Sequence, residues 1–144
     1  IAESLGKRGK GFLPVISPAP KDHHSLLQLY LDGPKDKLFY VFSTDIDNKK
    51  KINSNILGKE LNFLNNKSLS QIKIAQKNAF LKALKKKRIP FREFKIRDLS
   101  EQVLGELFSY FILETAIVGK LVNINPFDQP AVEEVKVNTK KILS

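Results

Sequence analysis

The run Leu38-Phe39-Tyr40-Val41-Phe42 constrains the fold more than any other stretch of the chain. Its apolar residues follow one another without a polar break, whereas a strand with one wet face alternates apolar and polar positions. The run predicts a strand covered on both faces, as in a parallel sheet, and parallel strands need crossover segments long enough to hold helices. Such a segment follows. Ser68-Leu69-Ser70-Gln71 is a capping box, in which hydroxyl and amide satisfy orphan backbone donors reciprocally. After it Leu69, Ile72, Ala75, Ala79, Phe80, Ala83 and Leu84 recur at helical spacing, with lysines on the opposite face. This predicts a surface helix ending near Arg88, a break at Ile89-Pro90, and a strand over Phe91 to Ile96 whose charges suit a position near a sheet edge.

The rest of the chain repeats this grammar. Phe12-Leu13-Pro14-Val15-Ile16 reads as a strand, with Pro14 placing it at an edge or a bulge. A helix is expected from an N-cap near Asp22, through Leu26, Leu27, Tyr30 and Leu31, to the Gly33-Pro34 stop. The Asn- and Lys-rich stretch to Asn66 is expected to be irregular, with a short turn around Leu57 to Leu64. From Asp98 to Glu101 another helix starts, apolar almost all round from Val103 to Val122, and such a helix belongs in the middle of a structure. Asn123 to Gln129 reads as a loop, and Val132 to Leu143 as a final, partly basic helix. Strand and helix alternating three times predict an α/β fold, a three-layer αβα parallel sheet, with ligands beyond the carboxyl ends of the strands. His23 and His24 lie just after the first expected strand, at that location.

Composition sets the outer limits. A chain of 144 residues with 42% apolar content suits one globular domain. With no Cys, a disulfide scaffold, a thiolate metal site and a Cys nucleophile are excluded. A sequence that opens Ile1-Ala2-Glu3-Ser4 and contains no Met reads as a processed product or a piece of something longer. The net charge of +10 raises anionic partners. Only Arg8, Arg88, Arg92 and Arg97 are arginine, however, and no aromatic-interleaved or zinc-finger pattern accompanies the lysines, which argues against a nucleic-acid partner. No run reaches the roughly 18 uninterrupted apolar residues of a membrane span, and no signal-peptide core is present, so a soluble, cytoplasmic chain is expected.

Few residues suggest chemistry by themselves. His24 suits a general acid or base, although adjacent histidines in a first helical turn are equally explained as a solvated helix start. The Gly6-Lys7-Arg8-Gly9-Lys10-Gly11 run has the composition of a phosphate cradle without its spacing and reads as a mobile basic loop. Asn125-Pro126-Phe127-Asp128-Gln129-Pro130 is explained by a plain inter-helix turn.

Three motifs go further together. Gly119 to Lys136, G-K-L-V-N-I-N-P-F-D-Q-P-A-V-E-E-V-K, closely resembles the C-terminal signature of the glucose-6-phosphate isomerase family, in which F-D-Q precedes x-G-V-E-x-x-K. Lys21 to Lys37 resembles that family's bacterial segment around its catalytic His, and Glu3 to Lys7, E-S-L-G-K, its E-S-N-G-K motif. The resemblance spans essentially the whole chain and implies a sugar-isomerase (SIS) fold, flavodoxin-like and truncated at its N-terminus. It implies that Glu3 is the base moving a proton between C2 and C1 through a cis-enediol(ate), that His24 and Lys136 assist ring opening, and that Gln129 lies near the substrate phosphate. No metal or organic cofactor is implied. The implied partners are a sugar phosphate, a second copy of the chain in a homodimer, and the N-terminal part of the parent enzyme, which carries the family's catalytic Arg and its phosphate loop. A fragment without that part is expected to have little or no activity. Regulators built on the same fold offer a non-catalytic alternative, a sugar-phosphate-binding module, but Ser17-Pro18-Ala19-Pro20 matches their phosphate loop poorly. Departures from the pattern are Leu5 for Asn, His23 for Gln and Ala131 for Gly, the last a source of about 1 kcal/mol of strain if the Gly has a positive φ.

Overall fold

The computed structural model of the chain describes residues 1–44, 49–53 and 58–144. These form two compact units, one of residues Ser17–Ser100 and one of Ile1–Ile16 with Glu101–Ser144.

The 17–100 unit contains α2 (His23–Asp32), β1 (Phe39–Thr44), a 3-10 turn (Lys59–Leu64), α3 (Leu69–Lys86) and β2 (Phe91–Ile96). α3 starts where the sequence places it. Ser68 Oγ accepts from the Gln71 amide N–H at 3.1 Å, and Gln71 Oε1 accepts from the Ser68 N–H at 2.9 Å. At its other end Arg88 takes a left-handed φ of 56° and the Ile89 N–H donates to the Leu84 carbonyl at 3.0 Å, the bond by which a helix satisfies a late orphan carbonyl. Pro90 then prevents continuation, and β2 follows at once.

The two strands run parallel, in register from Phe39 opposite Phe91 to Thr44 opposite Ile96. Alternation along β1 puts Phe39 and Val41 on one face and Tyr40 and Phe42 on the other. On the first face Phe39 meets Phe80 of α3 edge-on, with ring centroids 5.8 Å apart, and Tyr30 of α2 at 5.1 Å. His23 lies against the same Phe80 at 4.8 Å, so one aromatic row ties both helices to the sheet. Lys77 of α3 pairs with Glu93 of β2 at 2.6 Å; Leu84 of α3 is fully buried, and Ile89 just after the helix is nearly so. On the other face Phe42 stacks on Phe94 at 4.9 Å but stays 49% exposed.

The α/β class and the parallel pairing are as expected, but three details differ. Phe12–Ile16 is not a strand: no strand among the described residues pairs with it, Pro14 has no donor to give, and Phe12, Leu13, Val15 and Ile16 are exposed. Among the described residues the sheet therefore has two strands, and the histidines do not follow the end of a first strand as expected. Two-sided burial of β1 is not reached: Phe39, Tyr40 and Val41 are half-buried, and Phe42 is exposed. The expected turn around Leu57 to Leu64 is found over Lys59–Leu64; Leu57 itself lies outside the described residues.

The other unit contains α1 (Ala2–Leu5), α4 (Glu101–Leu121) and α5 (Pro130–Leu143). Leu5 is 2% exposed and α1 packs on α4. α4 is not the central helix that its composition predicts. Within it only Gly119 is buried, and Phe108, Ile112, Leu113 and Leu121 are each more than half exposed. The reason is a shortage of partners: in its own unit this 21-residue helix packs chiefly on a four-residue one. By length and composition α4 is apolar enough to cross a membrane, which the broken apolar run does not suggest; Glu106, Glu114 and Lys120 interrupt it.

Candidate active site

The site begins with a loop that closes on itself. α1 ends at Gly6, and Arg8, Gly9 and Gly11 all take positive φ, of 53°, 71° and 119°. A Cβ at Gly11 would lie 2.7 Å from Gly6 Cα and 2.9 Å from the Leu5 carbonyl oxygen, so only glycine permits the fold-back. The basic run is thus folded back on α1, and the ammonium groups of Lys7 and Lys10 are hydrogen-bonded. Lys10 Nζ donates to the Val122 carbonyl at 2.9 Å. Lys7 Nζ donates to the Asn125 carbonyl at 2.5 Å and to Asp128 Oδ1 at 2.7 Å.

The opposite wall is the connection from α4 to α5. Asn123, with φ of 57°, ends α4, and the Ile124 N–H returns to the Gly119 carbonyl at 2.8 Å. Gly119 lets this connection lie close, since a Cβ there would be 3.2 Å from the Ile124 carbonyl oxygen and from Pro126. The Asn125 side-chain carbonyl accepts from the Phe127 N–H at 3.1 Å and sets the turn. Gln129 is then the N-cap of α5, with Pro130 at its first position.

These two walls bring Glu3 and Gln129 into contact: Gln129 Nε2 donates to Glu3 Oε1. Residues from the first and third motifs, far apart in sequence, thus meet with a carboxylate and an amide side by side. Lys136 lies two helical turns beyond Gln129, on the same side of α5 and about 10 Å along its axis. Its ammonium is turned to Glu133 at 2.6 Å, an exposed pair worth little in stability. His24 belongs to the other unit, in the first turn of α2, and is exposed, while its neighbour His23 is the one packed on Phe80. Ala131 is in the first turn of α5 with helical backbone, so the expected strain at that position does not arise.

Lys7 and Asp128 are the residues that sequence reasoning passed over as a pair. Each stands inside a motif, yet no spacing rule links positions this far apart. The hydrogen bond from Lys7 holds the Asp128 carboxyl below the usual carboxylate range, with partial desolvation opposing it and the charge of Lys7 adding to it. A lowered carboxyl value means stability that is present above the unfolded value and lost as pH falls through the folded one. The difference in melting temperature between the chain and Asp128→Asn should therefore be constant above about pH 5, shrink below the ordinary carboxylate value of about 3.9, and vanish only once pH has fallen below the lowered folded value. A difference that persists at the acid end would mean that the pair is not what Asp128→Asn removes.

No family model matches the chain. Curated relatives do. A glucose-6-phosphate isomerase of Mycoplasmopsis pulmonis is 41% identical over 99% of this chain and 34% of its own length. A probable glucose-6-phosphate isomerase of Methanococcus maripaludis is 38% identical over 92% and 30%, and a glucose-6-phosphate isomerase of Methanocaldococcus jannaschii 35% identical over 94% and 33%. The chain spans about a third of the length of these relatives. Among solved structures, a hypothetical protein from Thermus thermophilus matches with a TM-score of 0.81 at 31% identity, over 99% of this chain and 36% of that one.

Proposed function

We propose that this chain, homologous along nearly its whole length to about a third of the glucose-6-phosphate isomerases it matches, supplies the proton-transfer part of an aldose-ketose isomerase acting on glucose 6-phosphate and fructose 6-phosphate. The observation that carries the reading is the meeting of Glu3 with Gln129, which joins the two motifs at the ends of the chain into one place.

The chemistry asks for such a group. In the open-chain sugar the C2 hydrogen lies α to the C1 carbonyl. The Glu3 carboxylate takes it as a proton, leaving an enediol(ate), and returns it to C1 while the O2 hydroxyl proton passes to O1 and the carbonyl is re-formed at C2. A carboxylate can do both steps because it carries the proton between neighbouring carbons on one face of the substrate. Gln129 orients that carboxylate in the free protein and exchanges its amide to the substrate phosphate when sugar enters. Ring opening needs a proton shuttle at the ring oxygen, and His24 and Lys136 fill that role. In this reading His24 is delivered by a second copy of the chain in a homodimer, and the setting is the cytoplasm.

The family resemblance implies that the catalytic Arg and the phosphate loop belong to a part of the enzyme other than this chain. Missing electrostatic partners are each worth about a hundredfold in rate, so the chain alone should turn over sugar phosphate barely or not at all. Replacing the matching third of the Mycoplasmopsis pulmonis relative by this chain should give a protein that interconverts the two sugar phosphates. A folded chimera with no such activity would overturn the reading.

A further inference from the structure

We propose that Lys7 is a positioning residue for the isomerisation, holding the 125–128 turn so that Gln129 meets Glu3 in the geometry that proton transfer needs; this rests on the isomerase reading above.

Lys7 stands just past the end of α1, four residues after Glu3, and reaches a segment more than 115 positions away. There it takes two acceptors of different kinds, the backbone carbonyl of Asn125 and the carboxylate of Asp128. A link to side chain alone would leave the turn free to shift beneath it; a link to backbone as well fixes the turn itself. The ammonium is also well shielded. The Lys7 side chain is 10% exposed, against 40% for Lys87 in its pair with Asp32, so Lys7 is held by its surroundings where most lysines of this chain are solvated. Gln129 follows Asp128 directly and caps α5, so whatever fixes Asp128 fixes the point from which the Gln129 side chain departs. Gly11 and Gly119 serve the same closure from either side, one allowing the loop to fold back and the other allowing the turn to lie down on α4.

Lys7 touches neither reacting carbon in this arrangement, and its effect passes through Glu3 and Gln129. A displacement of about 1 Å in a positioned group can cost about a hundredfold in rate, which sets the scale to look for. The position of the base also governs a quantity independent of how much protein is active. Deuterium taken from C2 either returns to C1 or exchanges with water while it resides on the carboxyl group, and a looser carboxylate loses more of it.

The test uses the chimera described above, with sugar phosphate deuterated at C2. Lys7→Gln should lower kcat by about ten- to a hundredfold and reduce the share of label retained at C1, while Lys7→Arg recovers most of both and Lys87→Gln, a control in the other unit, changes neither. Asp128→Asn should act in the same direction as Lys7→Gln, and the double variant should be no worse than the more severe single one. A Lys7→Gln protein with normal rate, or with a lowered rate and unchanged label retention, overturns the proposal, the second outcome marking loss of folded protein alone. A separate measurement does not depend on turnover. In the chain by itself the side-chain amide resonance of Gln129 should move toward free-glutamine values in Lys7→Gln and stay in place in Lys87→Gln; an unmoved resonance also overturns the proposal. An inactive unsubstituted chimera counts against the isomerase reading, and the amide resonance then still decides whether Lys7 places Gln129.

Discussion

Glu3→Gln in the chimera should lower kcat by a factor of about 10² to 10⁴, the range that a positioned general base contributes. The substitution is nearly isosteric and keeps an oxygen to accept the hydrogen bond of Gln129, so the site should keep its shape. What it removes, in the proposed role, is the capacity to carry a proton between two carbons. The loss should accordingly fall on kcat, with KM changed far less, because the carboxylate acts on the reacting carbons rather than on the phosphate that anchors the substrate. Isomerisation kinetics in both directions would measure it. Equal kcat for the variant and its parent would remove Glu3 from the reaction; a loss confined to KM would make it a binding group.

Leu84→Ala should be the most damaging single truncation in the 17–100 unit, at about 2–5 kcal/mol. Leu84 is fully buried, on the helix that joins the aromatic row to the sheet, and its carbonyl receives the N–H of Ile89 as the chain turns into β2. Truncation leaves a cavity in a unit whose sheet has only two strands and so little other packing to draw on. Chemical denaturation followed by circular dichroism reads the change. A cost below about 1 kcal/mol would show that the surroundings collapse onto the alanine, and that burial overstates how tightly this layer is packed.

The sequence made some parts of this structure plain and hid others for identifiable reasons. α3 and its cap were legible because a capping box is local: Ser68 and Gln71 need nothing but each other. β2 was legible from the Pro90 break and the short Phe91–Ile96 run after it. Phe12–Ile16 misled because an apolar, β-branched run states only a preference, and a strand exists only when another strand accepts its hydrogen bonds. α4 misled in the same way, since an apolar helix asks for partners without supplying them. For the site, resemblance named Glu3 and Gln129 separately, and the fold added that they touch. That Lys7 belongs with them could not be read from any pattern, because the bond joins one end of the chain to the other through a loop whose shape depends on three positive φ values.

The way the two units divide the sequence bears on the order in which the molecule can assemble. Residues 17–100 are continuous, so that unit can form from neighbouring segments as soon as they exist. The unit with the site is built from both ends, and its pairing of Glu3 and Lys7 with the 125–129 turn requires closing a loop that contains everything between. Loop closure at such a separation is slow relative to local contacts, and during synthesis the later half of the pair emerges after the whole of the 17–100 unit. The contact of Glu3 with Gln129 should therefore form after the local contacts of the 17–100 unit.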